Sequence, residues 1–230
     1  MEEKNTPIEV IESYAYKMGF QGFLYPRLIT RDSCAFAFRM TEKMIHELIE
    51  PYSKLSEEDK ERAFYTSIRA FLFDWADKGD FIALKKRITS FFEESSTVSS
   101  YVEQVFQSYE SKLYYPCLCG AVSLVERLLA DNDDPTVTNY NRLLTIQIEK
   151  LVEQTSNERE DRILKANLTG YIEYLVQRVP FSGHEPERVN RHWLLHGRTN
   201  RKIDLDDCLS IFILLDMLIE VKEKTEVTYT

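Results

Sequence analysis

Asp204-Leu205-Asp206-Asp207-Cys208-Leu209-Ser210-Ile211-Phe212-Ile213-Leu214-Leu215-Asp216-Met217-Leu218-Ile219-Glu220-Val221 is the stretch that decides the fold class. Its apolar residues show no alternation of two, so it does not read as a half-buried strand. Wound as a helix, they cover nearly the whole circumference. Such a helix is buried on all sides, inside a bundle or between a bundle and a second subunit. Asp204 with Asp207 has the spacing of a helix start. The strongest apolar run, Ile211 to Leu215, stops at Asp216, far short of the roughly 20 residues a membrane span needs.

The rest of the chain agrees with this helix. Among 230 residues there are only seven Gly and seven Pro, too few breakers for a turn-rich β fold. Thirteen Tyr and thirteen Phe suggest a core filled by aromatic rings. Helical periodicity is visible over about 8–18 and 41–51. Ser56-Glu57-Glu58-Asp59 opens a long helix that Gly79 ends, and Asp80 caps another running to about Glu94. A helical region follows over about 98–130, interrupted near Pro116. Asp134-Pro135 starts a helix over 136–154, Thr155-Ser156-Asn157-Glu158 one over 157–178, and Pro186 a short one before the last. The expected fold is all-α. The linker-like Glu93 to Ser100 is read as a boundary between an N-terminal helical region, 1–95, and a helical bundle, 96–230.

Charge is unevenly spread. The chain carries −9, which argues against a broad nucleic-acid-coating surface. Residues 188–202 nevertheless hold Arg188, Arg191, Arg198, Arg201 and Lys202 and no anion. One compact basic spot suits a single phosphate site better than a long groove. No secretory leader opens the sequence, and a cytoplasmic protein without a membrane partner is expected. Cys34, Cys117, Cys119 and Cys208 have neither metal-site nor disulfide spacing and read as reduced thiols. His46-Glu47 lacks the second histidine of a zinc-protease helix, and Asp131 to Asp134 lacks the ligand alternation of a calcium loop. No metal and no cofactor are called for.

The basic spot surrounds Asn190-Arg191-His192-Trp193-Leu194-Leu195-His196-Gly197. On a helix, His192 and His196 fall about 40° apart, on one face. Arg191 lies about 140° from His196, so only its length could bring the guanidinium close. Two motifs meeting across a two-fold axis would make a better site than one. Trp193, Leu194 and Leu195 are expected to pack beneath, and Gly197 to end the helix. These groups suit RNA cleavage by internal transesterification. A neutral imidazole can take the 2′-hydroxyl proton, an imidazolium can protonate the departing 5′-oxygen, and a guanidinium can neutralise the pentacoordinate phosphate. His184, in the preceding loop, reads as an exposed residue.

Asn190-Arg191-His192-x-x-Leu195-His196-Gly197 resembles the signature of HEPN-domain proteins, an arginine, a polar residue, three variable residues and a histidine. It particularly resembles the form found in bacterial defence and toxin-like members. The likeness is specific over residues 189–222. It implies a HEPN-like helical bundle in the C-terminal half, with additional N-terminal helices, that forms a homodimer joining two motifs in one cleft. It also implies a metal-independent endoribonuclease of toxin, abortive-infection or antiviral-defence type. Arg191 would bind the scissile phosphate, His192 would be the polar positioning residue and His196 the acid/base. Asn190, Arg198, Arg201 and Lys202 are expected to bind substrate. RNA is the expected partner, with an antitoxin or regulator as a second. The alternative is a non-catalytic helical dimer that binds RNA, a nucleotide or a protein.

Overall fold

The computed structural model describes Tyr16 and residues 81–93, 96–130 and 159–227. Those residues are all-α. They form six helices: α1 (Phe81–Phe91), α2 (Ser96–Glu110), α3 (Tyr114–Ala130), α4 (Arg159–Val176), α5 (Arg191–Leu195) and α6 (Leu205–Val227). The helices expected over 8–18 (Tyr16 apart), 41–51, 57–78 and 136–154 lie outside the described residues, as do Cys34, His46 and Asp131 to Asp134. Among the described residues no helix is long and apolar enough to cross a membrane.

The buried helix read from the sequence is α6. It starts on a reciprocal cap. Asp204 accepts from the Asp206 N–H at 3.1 Å, and Asp207 reaches back to accept from the Asp204 N–H at 3.1 Å. Two of the four donors that a helix start leaves open are thereby satisfied. From Cys208 to Ile219 every residue is buried except the half-buried Ser210. α6 packs against α3, which in turn packs against α2. Phe212 stacks on Phe106 of α2 with centroids 4.7 Å apart and meets the edge of Tyr109 at 5.5 Å. Burying one such ring is worth about 1.5–3 kcal/mol. The apolar run is broken by Asp216, only 2% exposed, whose carboxylate lies 3.2 Å from Arg87 Nε of α1. A buried carboxylate requires such a partner.

One sequence expectation shifts. The region 98–130 is two helices, and the break falls before Pro116. Pro116 sits in the first turn of α3, where its missing N–H costs nothing. The chain turns at Lys112, in the left-handed region at φ 59°. Lys112 N–H donates to Tyr109 O at 2.9 Å and Leu113 N–H to Ser108 O at 2.8 Å, the paired bonds that close a helix end. In the serine-rich stretch, α2 begins at Ser96. By compactness the chain divides into residues 1–24 with 87–230, and residues 25–86. The ion pair from Arg87 to buried Asp216 ties residues ahead of 95 to the C-terminal core.

Gly120 of α3 is where α2 comes close. A Cβ there would meet Val105 Cγ2 at 2.5 Å, and Tyr101 OH donates to the Gly120 carbonyl at 3.3 Å.

Candidate active site

The short helix α5 carries the Arg/His motif, and Asn190 holds it in place. Asn190 is only 3% exposed. Its backbone is extended (φ −121°, ψ 122°), and its side-chain oxygen accepts from Trp193 N–H at 3.2 Å. The amide nitrogen donates backwards, to Gln177 O at 2.9 Å and Tyr174 O at 3.4 Å. These carbonyls lie at the C-terminal end of α4, where helical partners run out; Tyr174 O still accepts from the Gln177 N–H at 3.3 Å. One side chain therefore opens α5 and closes α4. Expected as a substrate-binding residue, Asn190 is instead a buried double cap with its polar atoms engaged inside the protein. The helix also starts later than Pro186 suggested, because the cap itself sits at 190.

The other end of α5 closes on Gly197, at φ 63°. Gly197 N–H donates to Leu194 O at 3.1 Å and Arg198 N–H to Trp193 O at 2.9 Å. This is the glycine-terminated helix end read from the sequence. Beneath the motif, Trp193 is buried and donates from Nε1 to Val179 O at 3.2 Å. Leu194 is buried, and its carbonyl accepts from Tyr115 OH of α3 at 3.0 Å. Leu195, expected to pack with them, is 37% exposed instead. A single helical turn cannot turn three consecutive residues inward.

On the surface the two imidazoles meet. His192 and His196 stand edge to face with centroids 4.8 Å apart. His192 is half-buried and His196 exposed. The protonated form of His192 is disfavoured, first by desolvation and then by the charges of His196, Arg178 and Arg191. His192 is also stacked on Phe181, with ring centroids 4.4 Å apart and planes 6° from parallel. Phe181 meets the edge of His196 at 5.6 Å, and the Arg198 guanidinium lies over its ring at 5.2 Å.

The basic residues separate into two groups. Arg191 donates from Nε to Glu126 of α3, so its side chain is turned towards that helix. Arg201 is held in a fork by Asp207, at 3.0 and 2.9 Å. Its loop is pinned by Glu185, which accepts from the Asn200 and Arg201 N–H groups at 2.9 and 3.2 Å. Arg198 and Lys202 stay exposed, as does His184. The structure thus brings Arg191, His192, His196 and Arg198 to one end of the bundle.

Four neighbours of the motif escaped the sequence reading: Glu126, Arg178, Phe181 and Tyr115. Glu126 lies 65 residues from its partner, and no local pattern marks it. Phe181, an aromatic between Pro180 and Gly183 in a polar loop, carried the one legible signal.

Among the described residues no group of His, Cys, Asp and Glu side chains is placed to hold a metal ion. Cys117, Cys119 and Cys208 are free thiols, and burial raises the Cys119 thiol above its ordinary value. No family model matches the chain, and neither a curated protein nor a solved structure matches it.

Proposed function

We propose that this chain is a metal-independent endoribonuclease of toxin or antiviral-defence type, built on a HEPN-like bundle and acting on RNA in the cytoplasm. The observation that carries this reading is the surface pair His192 and His196, 4.8 Å apart and set among arginines. Acid–base cleavage of a phosphodiester needs one group that accepts a proton and one that gives it back. His196, the more open of the two, faces the reacting oxygens, and His192, whose protonated form is disfavoured by desolvation and then by neighbouring charge, positions it. The 2′-oxygen attacks phosphorus and its proton passes to an imidazole. The bond to the 5′-oxygen breaks and that oxygen takes the proton back from the imidazolium so formed. A cyclic phosphate and a 5′-hydroxyl result. Arg191, its plane set by Glu126, and Arg198 balance the charge that builds on the phosphate.

A homodimer completes the site in this reading. Within one chain Arg191 is directed at α3, and a second copy would bring a further set of cations and imidazoles to the same cleft. The exposed Leu113, Tyr115 and Leu195 supply apolar surface beside the motif for that copy to cover. An antitoxin or regulator would act by masking the same surface.

The test incubates wild-type protein, Arg191→Ala and His196→Ala with total RNA and with tRNA in excess EDTA, read on a denaturing gel. Discrete cleavage by the wild type, lost in both variants, is the expected result. RNA binding with no cleavage, by folded wild-type dimer at high concentration, would instead favour a non-catalytic binding module. Arg191's engagement with Glu126, which already offsets its charge, is the observation on that side.

A further inference from the structure

We propose that Phe181, with the Arg198 guanidinium over its ring, is a stacking subsite for the nucleobase next to the phosphate held at His192 and His196. This rests on the ribonuclease reading and adds the position of the substrate's base.

Phe181 is an apolar ring held at the surface. It is 37% exposed although the core beneath it is closed by Trp193 and Leu194. Its loop is fixed at both sides. Gly183 N–H donates to Pro180 O at 3.0 Å, and Val179 O accepts from Trp193 Nε1 at 3.2 Å. The ring is therefore presented, not trailing. His192 lies parallel to it at 4.4 Å and Trp193 meets it edge-on at 5.5 Å, which sets its plane. The Arg198 guanidinium that also lies over the ring is an exposed side chain, which a base can displace or layer with to stack there.

The cations point the same way. Arg191 and Arg201 have carboxylate partners in Glu126 and Asp207. Arg178 and Arg198 are exposed, and neither pairs with a carboxylate among the described residues. Arg198 lies over the Phe181 ring at 5.2 Å, and Arg178 is near enough for its charge to act on His192. In a chain of net charge −9, two uncompensated arginines beside an open aromatic ring fit a ligand that is both planar and anionic. An acidic peptide would use the charges but leave the ring without a partner. A nucleotide uses both.

The test uses the full chain and 2′-O-methyl oligonucleotides, which lack the attacking hydroxyl and so report binding alone. Each carries 2-aminopurine at one position, read by fluorescence quenching and anisotropy. Wild-type protein should quench the reporter at one position. Phe181→Leu should lose that quenching and bind about 5- to 140-fold more weakly, the range one base–aromatic stack is worth. Phe181→Tyr should retain both properties, and Arg178→Ala should weaken binding in a salt-dependent way. Binding and quenching that are equal in wild type and Phe181→Leu would overturn the subsite and leave the ribonuclease reading standing. No binding by wild type, or tighter binding of polyglutamate than of the oligonucleotides, would overturn both.

Discussion

Replacing Asn190 by alanine separates a structural role from a substrate-binding one. Three hydrogen bonds disappear: one accepted from Trp193 N–H at 3.2 Å and two donated, to Gln177 O at 2.9 Å and Tyr174 O at 3.4 Å. Loss of the N-cap costs about 1 kcal/mol. Each carbonyl left with one fewer partner adds roughly 0.5–1.5 kcal/mol, the smaller share falling to the longer bond. The sum is about 2–3 kcal/mol, or about 5–10 °C in Tm for a folding unit of this size. Asn190→Asp sharpens the test. It keeps the oxygen that caps α5 but turns a carboxylate towards two carbonyl oxygens. Burial and those oxygens raise that carboxyl's folded pKa above its unfolded value, so the folded state holds the proton more tightly. Its penalty is therefore smallest in acid and grows as pH rises above about 4. Thermal melts and urea titrations of the three proteins at acid and neutral pH read both effects. Wild-type stability in Asn190→Ala, with weakened RNA binding, would refute the double cap and restore Asn190 to the substrate.

Further substitutions at Lys112, Gly197 and Gly120 probe the backbone and packing that present the site. Lys112 and Gly197 both occupy the left-handed region at helix ends, at φ 59° and 63°, so Lys112→Gly should stabilise by about 0.5–1 kcal/mol while Gly197→Ala destabilises by about 1–2 kcal/mol. A Cβ at Gly197 meets nothing within 4 Å, so its cost is backbone strain alone and Gly197→Asn should recover part of it; equal melting of all these variants would show that neither turn is as described. At Gly120 the obstacle is packing instead, with Val105 Cγ2 2.5 Å from a new Cβ. Gly120→Ala should cost about 1–3 kcal/mol, and adding Val105→Ala should recover part of that cost in a double-mutant cycle.

What could be read from the sequence was what has a local cause. α6 announces itself because burial on every side writes an apolar run from Ile211 to Ile219 interrupted only at Asp216, and its Asp204/Asp207 start needs only neighbours three apart. Gly197 was legible for the same reason: the left-handed residue of a helix end favours glycine, and a glycine stood where periodicity stopped. The equivalent turn at Lys112 was invisible because a lysine fills it, its conformation held by hydrogen bonds to Ser108 and Tyr109 that leave no trace in residue choice. The caps that Asn190 makes were not legible, because a polar residue inside a basic motif looks like a ligand contact. Its partners are carbonyls of α4, and every residue has a carbonyl, so no side-chain pattern can announce them. The neighbours of the motif follow this logic further. Glu126 and Phe181 come to Arg191 and His192 from other parts of the chain. The sequence states the chemistry of the candidate site, two imidazoles and their arginines, because Arg191, His192, His196 and Arg198 fall within one eight-residue stretch. It does not state which arginines are already neutralised, and that depends on where α3, α4 and the 177–190 loop deliver their side chains. The same motif with Arg191 released from Glu126, or with Phe181 absent, would read almost identically as a string and present a different surface to a phosphate.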